Sequence, residues 1–451
     1  MKPVPAGRVA AAVLFLLLTA VFPSQPRAAD AAPEDRIAAL EADSAKAFED
    51  NVPLRAYNAN MKLLRLRPYE AEYMVNVVRA AALMGRRSVA YDFMLQMQQQ
   101  GLSHDFNQEP DSESIRNSEA YDYINELLVE AGKAAGEGST IFELPKLAGD
   151  LGAMAWDESR KRWLLGTLSE GKLLAVGDDG QVEVLLEGSA ENGPWSIGGL
   201  AVDAVTGRIW VASSETPKFQ GYSPVKKSGH AVFEYKLDSL EPVARHDLSP
   251  DQLDHDLGSI AVTGDGFLYV IDRAQPIVFR LEPGGKALVP FVASPELVRL
   301  TDLAVTPDNS RVFASDIAKG IWVIDPVAEQ AGMLAGPETL NLGGITGLAY
   351  RNGQLFVIQG AQTPQRLLRL ELDATGSQAA EVTPMAIALD RFDGPGVGSI
   401  REDGLFYVAN AHSSTSGATA RVMRTPLDAG DQIESPTIRQ FQREMENKQN
   451  Q

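Results

Sequence analysis

The side chains best suited to chemistry in this sequence are carboxylates and a few histidines, because cysteine is absent. Asp254 and Asp256 flank His255, and Asp272, Asp302 and Asp316 follow farther along the chain. Carboxylates gathered around one point suit a hard cation such as calcium, which takes oxygen ligands. Asp272, Asp302 and Asp316 are the candidate metal ligands. Without a cation or a basic side chain, carboxylates held that close repel one another and resist ionisation. Arg273, beside Asp272, is a basic side chain placed to relieve this. The spacing is not that of a known calcium loop. Of the five histidines, His230, His255 and His412 fall in loops near these carboxylates, while His104 and His246 do not. The order of residues offers no serine–histidine–acid set, no HExxH, no P-loop and no dinucleotide fingerprint. GDDG and NLGG read as turns. The lack of cysteine excludes disulfides, thiolate catalysis and cysteine metal sites.

These residues belong to a repeated unit. Beyond Ser139, short β-rich runs alternate with Gly, Pro, Asp and Asn turns. Each copy opens on a small residue, continues as an apolar strand, turns, and runs into a second strand that ends on a polar residue. The copies are GAMAWDESRKRWLLGT from Gly152, GGLAVDAVTGRIWVAS from Gly198, GSIAVTGDGFLYVID from Gly258, TDLAVTPDNSRVFASD from Thr301, TGLAYRNGQLFVIQ from Thr346 and GSIREDGLFYVAN from Gly398. Third strands follow as GKLLAV, HAVFEYKL, PIVFRL, KGIWVI, QRLLRL and ARVMRT. The starts are spaced by 46, 60, 43, 45 and 52 residues. A four-stranded propeller blade needs roughly 40–50 residues, so the chain predicts an all-β six-bladed β-propeller over residues 139–430. The long second interval holds an insertion, SETPKFQGYSPVKKSGH. A ring of blades must close, and Thr140–Leu144 has no place in the first blade. It is expected to pair with the sixth.

In this architecture the inner strand begins at the face where the second strand ends, so both loop sets meet at one mouth of the central channel. The second strands end at Thr167, Ser213, Asp272, Asp316, Gln359 and Asn410. One reading is a polar ring around a ligand or cation. The other is that these side chains bond to loop amides at the strand ends.

Ahead of the repeats, residues 32–136 read as an α-helical domain. RAYNANMKLLRLRP and VAYDFMLQMQQQG place Ala56 and Ala90 one 34-residue period apart, with Pro68 and Gly101 as stops. That period and the small residue between antiparallel helices resemble the tetratricopeptide repeat. Tyr69–Met84 and Arg87–Gln100 form the expected pair, and Ala120–Ala135 a closing helix. Such a unit serves either as a partner-binding groove or as a cap on the larger domain. An array this short is expected to lean on the propeller or on another chain.

The first 31 residues have the form of an export signal: a basic start, the apolar run VAAAVLFLLLTAVF, Pro23, and Ala29-Asp30-Ala31 before a mature start near Ala32. The apolar run is short for a span, which needs about 20 residues. The expected location is periplasmic or secreted, with no transmembrane span after cleavage. The whole chain carries a net charge of −19, and the leader accounts for +2, leaving −21. Such a charge repels nucleic acid and anionic surfaces. The expected partner is a protein or a small molecule of the envelope. The polar tail, residues 431–451, is expected to be peripheral.

The six-blade texture resembles the gluconolactonase and senescence-marker-protein superfamily, most closely in TDLAVTPDNSRVFASDIAKGIWVID and GITGLAYRNGQLFVIQGAQTP. The resemblance implies a divalent cation held by a Glu at the start of blade one, an Asn at blade four and an Asp at blade five. The matching positions here are Gly152, Thr301 and Thr346. Asp302 is displaced by one residue, which strict strand alternation turns to the opposite face. Two functions follow. One is an exported binding or scaffold protein without the lactonase chemistry. The other is a cation-dependent hydrolase with a rearranged site at Asp272, Asp302 and Asp316.

Overall fold

The computed structural model describes residues 33–144, 146–147, 150–224, 229–248, 253–411, 418–430 and 433. The export signal, most of the C-terminal tail and His412 lie outside these residues.

Six antiparallel sheets form the blades, and each runs outward from an inner strand. The inner strands are Leu151–Asp157, Ser196–Asp203, Leu257–Val262, Leu300–Val305, Gly347–Arg351 and Gly396–Arg401. The apolar alternation of each copy makes these strands, and burial between neighbouring blades holds them. Between blades two and three, for example, Ala201, Ala212 and Val232 pack on Leu257, Ile260 and Val270. Each of the larger side chains, Val232, Leu257, Ile260 and Val270, contributes roughly 1.5–3 kcal/mol when fully buried.

The ring closes as the sequence implied. Ser139–Leu144 is the outer strand of the sixth blade and pairs with Ala420–Thr425, from Ser139 opposite Arg424 to Leu144 opposite Ala420. Phe142 and Leu144 are buried among Phe406, Val408 and Val422 of the same blade and Trp163 of the first. Just before this strand, Ala135–Gly136 adds a short fifth strand to the outer edge of blade five. The connection from the helices is therefore stitched to two blades in succession.

The helical segment comprises α1 (Pro33–Glu49), α2 (Pro53–Leu66), α3 (Ala71–Leu83), α4 (Arg87–Gln99) and α5 (Glu119–Ala131). Ala56 and Ala90 are both fully buried, as close helix contact requires. The polar stretch after Gly101 forms two 3-10 turns, Phe106–Gln108 and Pro110–Ile115, the second bonded to α3 through Arg79 and Asp111. Among the described residues no helix is long and apolar enough to cross a membrane.

The helices stand on the propeller. Ile37, Leu63 and Tyr73 pack with Val298, in the loop leading to the inner strand of blade four. The Tyr69 carbonyl accepts from Asn341 and Gln362, and the Gln100 and Gly101 carbonyls accept from Arg366 at 2.9 and 3.0 Å. These last two carbonyls lie just past α4, where the helix dipole favours a cation. The propeller groups involved belong to loops at the starts of inner strands or the ends of second strands, except Arg366, which opens the third strand of blade five at the same end. The helices thus occupy the mouth face, over blades four and five.

Candidate functional site: the channel and its mouth

The strand-end ring and the channel wall are two separate structures. Thr167, Ser213, Asp272, Asp316 and Gln359 are completely buried, and Asn410 nearly so. Their hydrogen bonds go to nearby loops. Asp316 accepts from the amides of Val298, Arg299, Ala318 and Lys319 at 2.7–3.2 Å. Asp272 accepts from the amides of Asp256, Ala274 and Gln275, and its second oxygen bonds His255 Nδ1. Ser213 accepts from Trp195 N, and Thr167 from Lys172 N. Asn410 clamps Thr419 O and Arg421 N. Gln359 donates to Asn341 O and Gly343 O and accepts from Arg366 Nε. Each side chain ties the loop entering its blade or the turn leaving its second strand, so the loop-clasp reading of this ring describes the geometry.

The metal triad is a correction. Asp272 and Asp316 are turned into their own loops, whereas Asp302 stands in the channel wall. Among the described residues no group of three or more His, Asp or Glu side chains is placed to hold a metal ion. Saturation is the physical reason: four backbone amides take up Asp316, and three amides and His255 take up Asp272. Arg273, the expected partner of Asp272, pairs instead with Asp256, through Nε at 3.0 Å and Nη2 at 2.8 Å. His230 lies edge-on to His255, with ring centroids 5.2 Å apart.

The channel itself is a cavity of about 470 Å³ lined by all six inner strands. Near its mouth it is lined by Gly152, Ser259, Arg273, Thr301, Asp302 and Thr346. The expectation that Asp302 would face away from this space fails, and the cause is local. The strand register shifts between Leu300 and Asp302, so two residues there oppose a single step of the partner strand. A bulge of this kind re-aims side chains, and both Thr301 and Asp302 line the cavity. Similar shifts occur at the starts of the inner strands of blades one, two, three and six. Sequence alternation could not reveal them.

Asp302 bridges blades. Its carboxylate accepts from Leu348 N of blade five at 2.7 Å and from Leu303 N at 2.8 Å. Burial pushes its pKa up to about 6, against the opposing pull of Ser259, the two amides and the nearby Arg273 charge. Thr301 and Thr346 already have partners, Ser315 Oγ at 2.8 Å and Pro395 O at 2.6 Å.

Arg273, not singled out as a ligand-facing residue by the sequence, is the one basic side chain among the described residues that line the cavity. Its side chain lies along two glycines. A Cβ on Gly198 would come within 2.8 Å of Nη2, and one on Gly258 within 3.1 Å of Cδ and Nε. Glycine there leaves the slot that the guanidinium fills. The repeated small residue at the copy starts was the available signal.

The family ligand positions Gly152, Thr301 and Thr346 line the same cavity. They offer one glycine and two hydroxyls that are already bonded, beside a guanidinium. This set does not fit the divalent cation of the superfamily, whose site depends on anionic and carbonyl oxygens.

No protein-family model matches the chain, and no curated protein matches it. Solved structures do. They include a calcium-binding regucalcin from Agrobacterium tumefaciens, 12% identical over 64% of this chain and 95% of that one, TM-score 0.46. A luciferin-regenerating enzyme is 13% identical over 67% and 99%, TM-score 0.47. The PQQ-bound aldose sugar dehydrogenase of Streptomyces coelicolor is 16% identical over 65% and 99%, TM-score 0.44. These are likenesses of fold.

Proposed function

We infer that this is an exported binding protein whose propeller takes a small molecule into the central channel from the helix-bearing face. The observation that carries this reading is the convergence of Arg273 and Asp302 on a cavity of about 470 Å³, beside Thr301 and Thr346 whose hydroxyls are already bonded. A cavity of that size suits a small ligand. The helices, held to the same face by Arg366 and Asn341, serve as a fixed cap beside the mouth and as a second surface for a protein partner.

The raised pKa of Asp302 favours a second reading, a hydrolase in which this carboxylate moves a proton. One experiment separates the two. The chain from Ala32 is unfolded thermally with small carboxylates, with polyols, with calcium and with a chelator. A ligand that prefers the native state raises the melting temperature. The binding reading expects a rise with an organic ligand, lost in Arg273→Gln, and no effect of chelator. A fall with chelator would overturn the binding reading as stated, and hydrolysis of an added ester or lactone that is lost in Asp302→Asn would replace it with the hydrolase. Mass spectrometry of the exported form should show the leader removed near Ala32, and a full-length chain would defeat the export assignment.

A further inference from the structure

Two charges of opposite sign face the channel. Arg273 and Asp302 are the only Arg, Lys, His, Asp or Glu side chains among the described residues that line it, and Tyr350 is the one other titratable group there. The guanidinium is close enough for its charge to favour the ionised Asp302 carboxylate. The two nonetheless form no ion pair among the described residues, and Arg273 Nε and Nη2 are held by Asp256 instead. A gap between two fixed, opposite charges therefore remains at the mouth.

Each charge keeps part of its bonding capacity. Asp256 and the glycine slot fix Arg273, and its Nη1 makes no hydrogen bond among the described residues. A guanidinium held in this way matches a carboxylate. Asp302 is half-buried, so the channel reaches it. A carboxylate has about four lone-pair sites, and the Leu303 and Leu348 amides take two of them. The six inner strands pair on one side only, so their free backbone edges add donors and acceptors along the channel. Such a wall suits a polar ligand. A simple anion on Arg273 would lie beside the Asp302 charge, and a simple cation on Asp302 would lie beside Arg273. A zwitterion answers both charges, and electrostatic complementarity of this kind sets specificity. The charge of the whole chain, −19, also disfavours a simple anion.

We propose that the channel mouth binds a free amino acid, with its carboxylate on Arg273 and its ammonium on Asp302. The proposal rests on the binding reading above and names the ligand class of that site. Two charge-assisted hydrogen bonds of about 2.7–2.9 Å, one at each end of such a molecule, bridge a separation that a direct pair leaves open. The ammonium requires the ionised carboxylate. Burial raises the Asp302 pKa to about 6, so affinity is expected to increase as pH rises through that value and to level off above it.

The test is calorimetric titration of the chain from Ala32 with glycine, serine, glutamine, β-alanine and γ-aminobutyrate, each beside its N-acetyl and amide derivatives. At least one amino acid is expected to bind about tenfold or more tightly than either of its derivatives, since each derivative lacks one of the two charges. Arg273→Gln and Asp302→Asn should each weaken that amino acid about tenfold or more. Asp302→Asn should also remove the change in affinity between about pH 5 and pH 7. If either variant does not fold, the comparison of parent and derivative on the unaltered protein decides the matter. N-acetyl derivatives that bind as tightly as their parents, or an affinity that is constant between about pH 5 and pH 7, would overturn this inference and leave the channel-binding reading standing. Failure of every amino acid, with another small molecule still raising the melting temperature through Arg273, would do the same. Failure of all these ligands in both experiments would remove the binding reading itself.

Discussion

Asp316 and Asp302 are carboxylates of the same blade, on adjacent strands and near the same mouth, yet they do different work. Asp316 is enclosed by four backbone amides from its own loops, and burial still raises its pKa. Asp302 takes two amides, one from the next blade, and faces a cavity that also holds a guanidinium. A buried acid whose oxygens are saturated by the backbone is a clasp. One left with a neighbour of opposite charge and an open space is available to a ligand. Residue type does not distinguish them, but the destination of the hydrogen bonds does.

The sharpest way to break this contrast is Asp316→Ala. Four amide donors would lose their acceptor inside the protein, and unsatisfied buried groups cost about 1–3 kcal/mol each before relaxation and water entry reduce the sum. We expect a net loss of about 3–5 kcal/mol in urea unfolding. A loss below about 1 kcal/mol would show that the ring is not a set of clasps.

Arg366→Ala extends the test to the helices, because Arg366 joins the clasp Gln359 to the carbonyls past α4. The guanidinium is buried, and desolvation lowers its pKa to about 10. Its removal leaves three acceptors without a donor, for an expected cost of about 2–4 kcal/mol. Hydrogen exchange should rise across residues 100–103 and at Gln359. Unchanged exchange there would mean that apolar contacts alone dock the helices.

Asp302→Asn addresses the other side of the comparison. The folded pKa of about 6 lies above the ordinary value of 3.8, so the native state holds the proton more tightly than the unfolded chain. Stability from this group is full below about pH 4 and falls as pH rises through about 6, by up to about 3 kcal/mol. The wild-type protein should therefore lose stability relative to Asp302→Asn over that window. Parallel pH profiles for the two proteins would place Asp302 in a more hydrated setting. Asp256→Asn should have the smallest effect on folding, at most about 1 kcal/mol, since the Arg273 pair is partly exposed. It should nonetheless loosen Arg273 and lower the ligand-induced rise in melting temperature.

Six repeats, their order, the closing strand and the helical segment were legible because each depends on patterns that local sequence carries: apolar alternation, turn residues, and the burial of alanine where helices touch. The copy starts at Gly152, Gly198 and Gly258 were visible too, though not their reason. They leave room for neighbouring strands and for Arg273. The three-carboxylate site was a misreading because the loop groups that take up Asp272 and Asp316 are placed only by the fold. The facing of Asp302 was missed for a different reason: alternation assigns faces only while the register holds, and the shift at Thr301 breaks it there.

What the sequence determined by itself was the set of blades and the polar character of each strand end, since both follow from residues adjacent in the chain. Which polar residues turn inward to loop amides and which stand in the channel was decided only by the closed ring. Asp302 meets Leu348 of the next blade, Arg273 lies across Gly198 and Gly258 of two blades, and the channel takes its wall from all six inner strands. Such contacts join segments far apart in sequence, and they exist only once the blades have packed around a common axis.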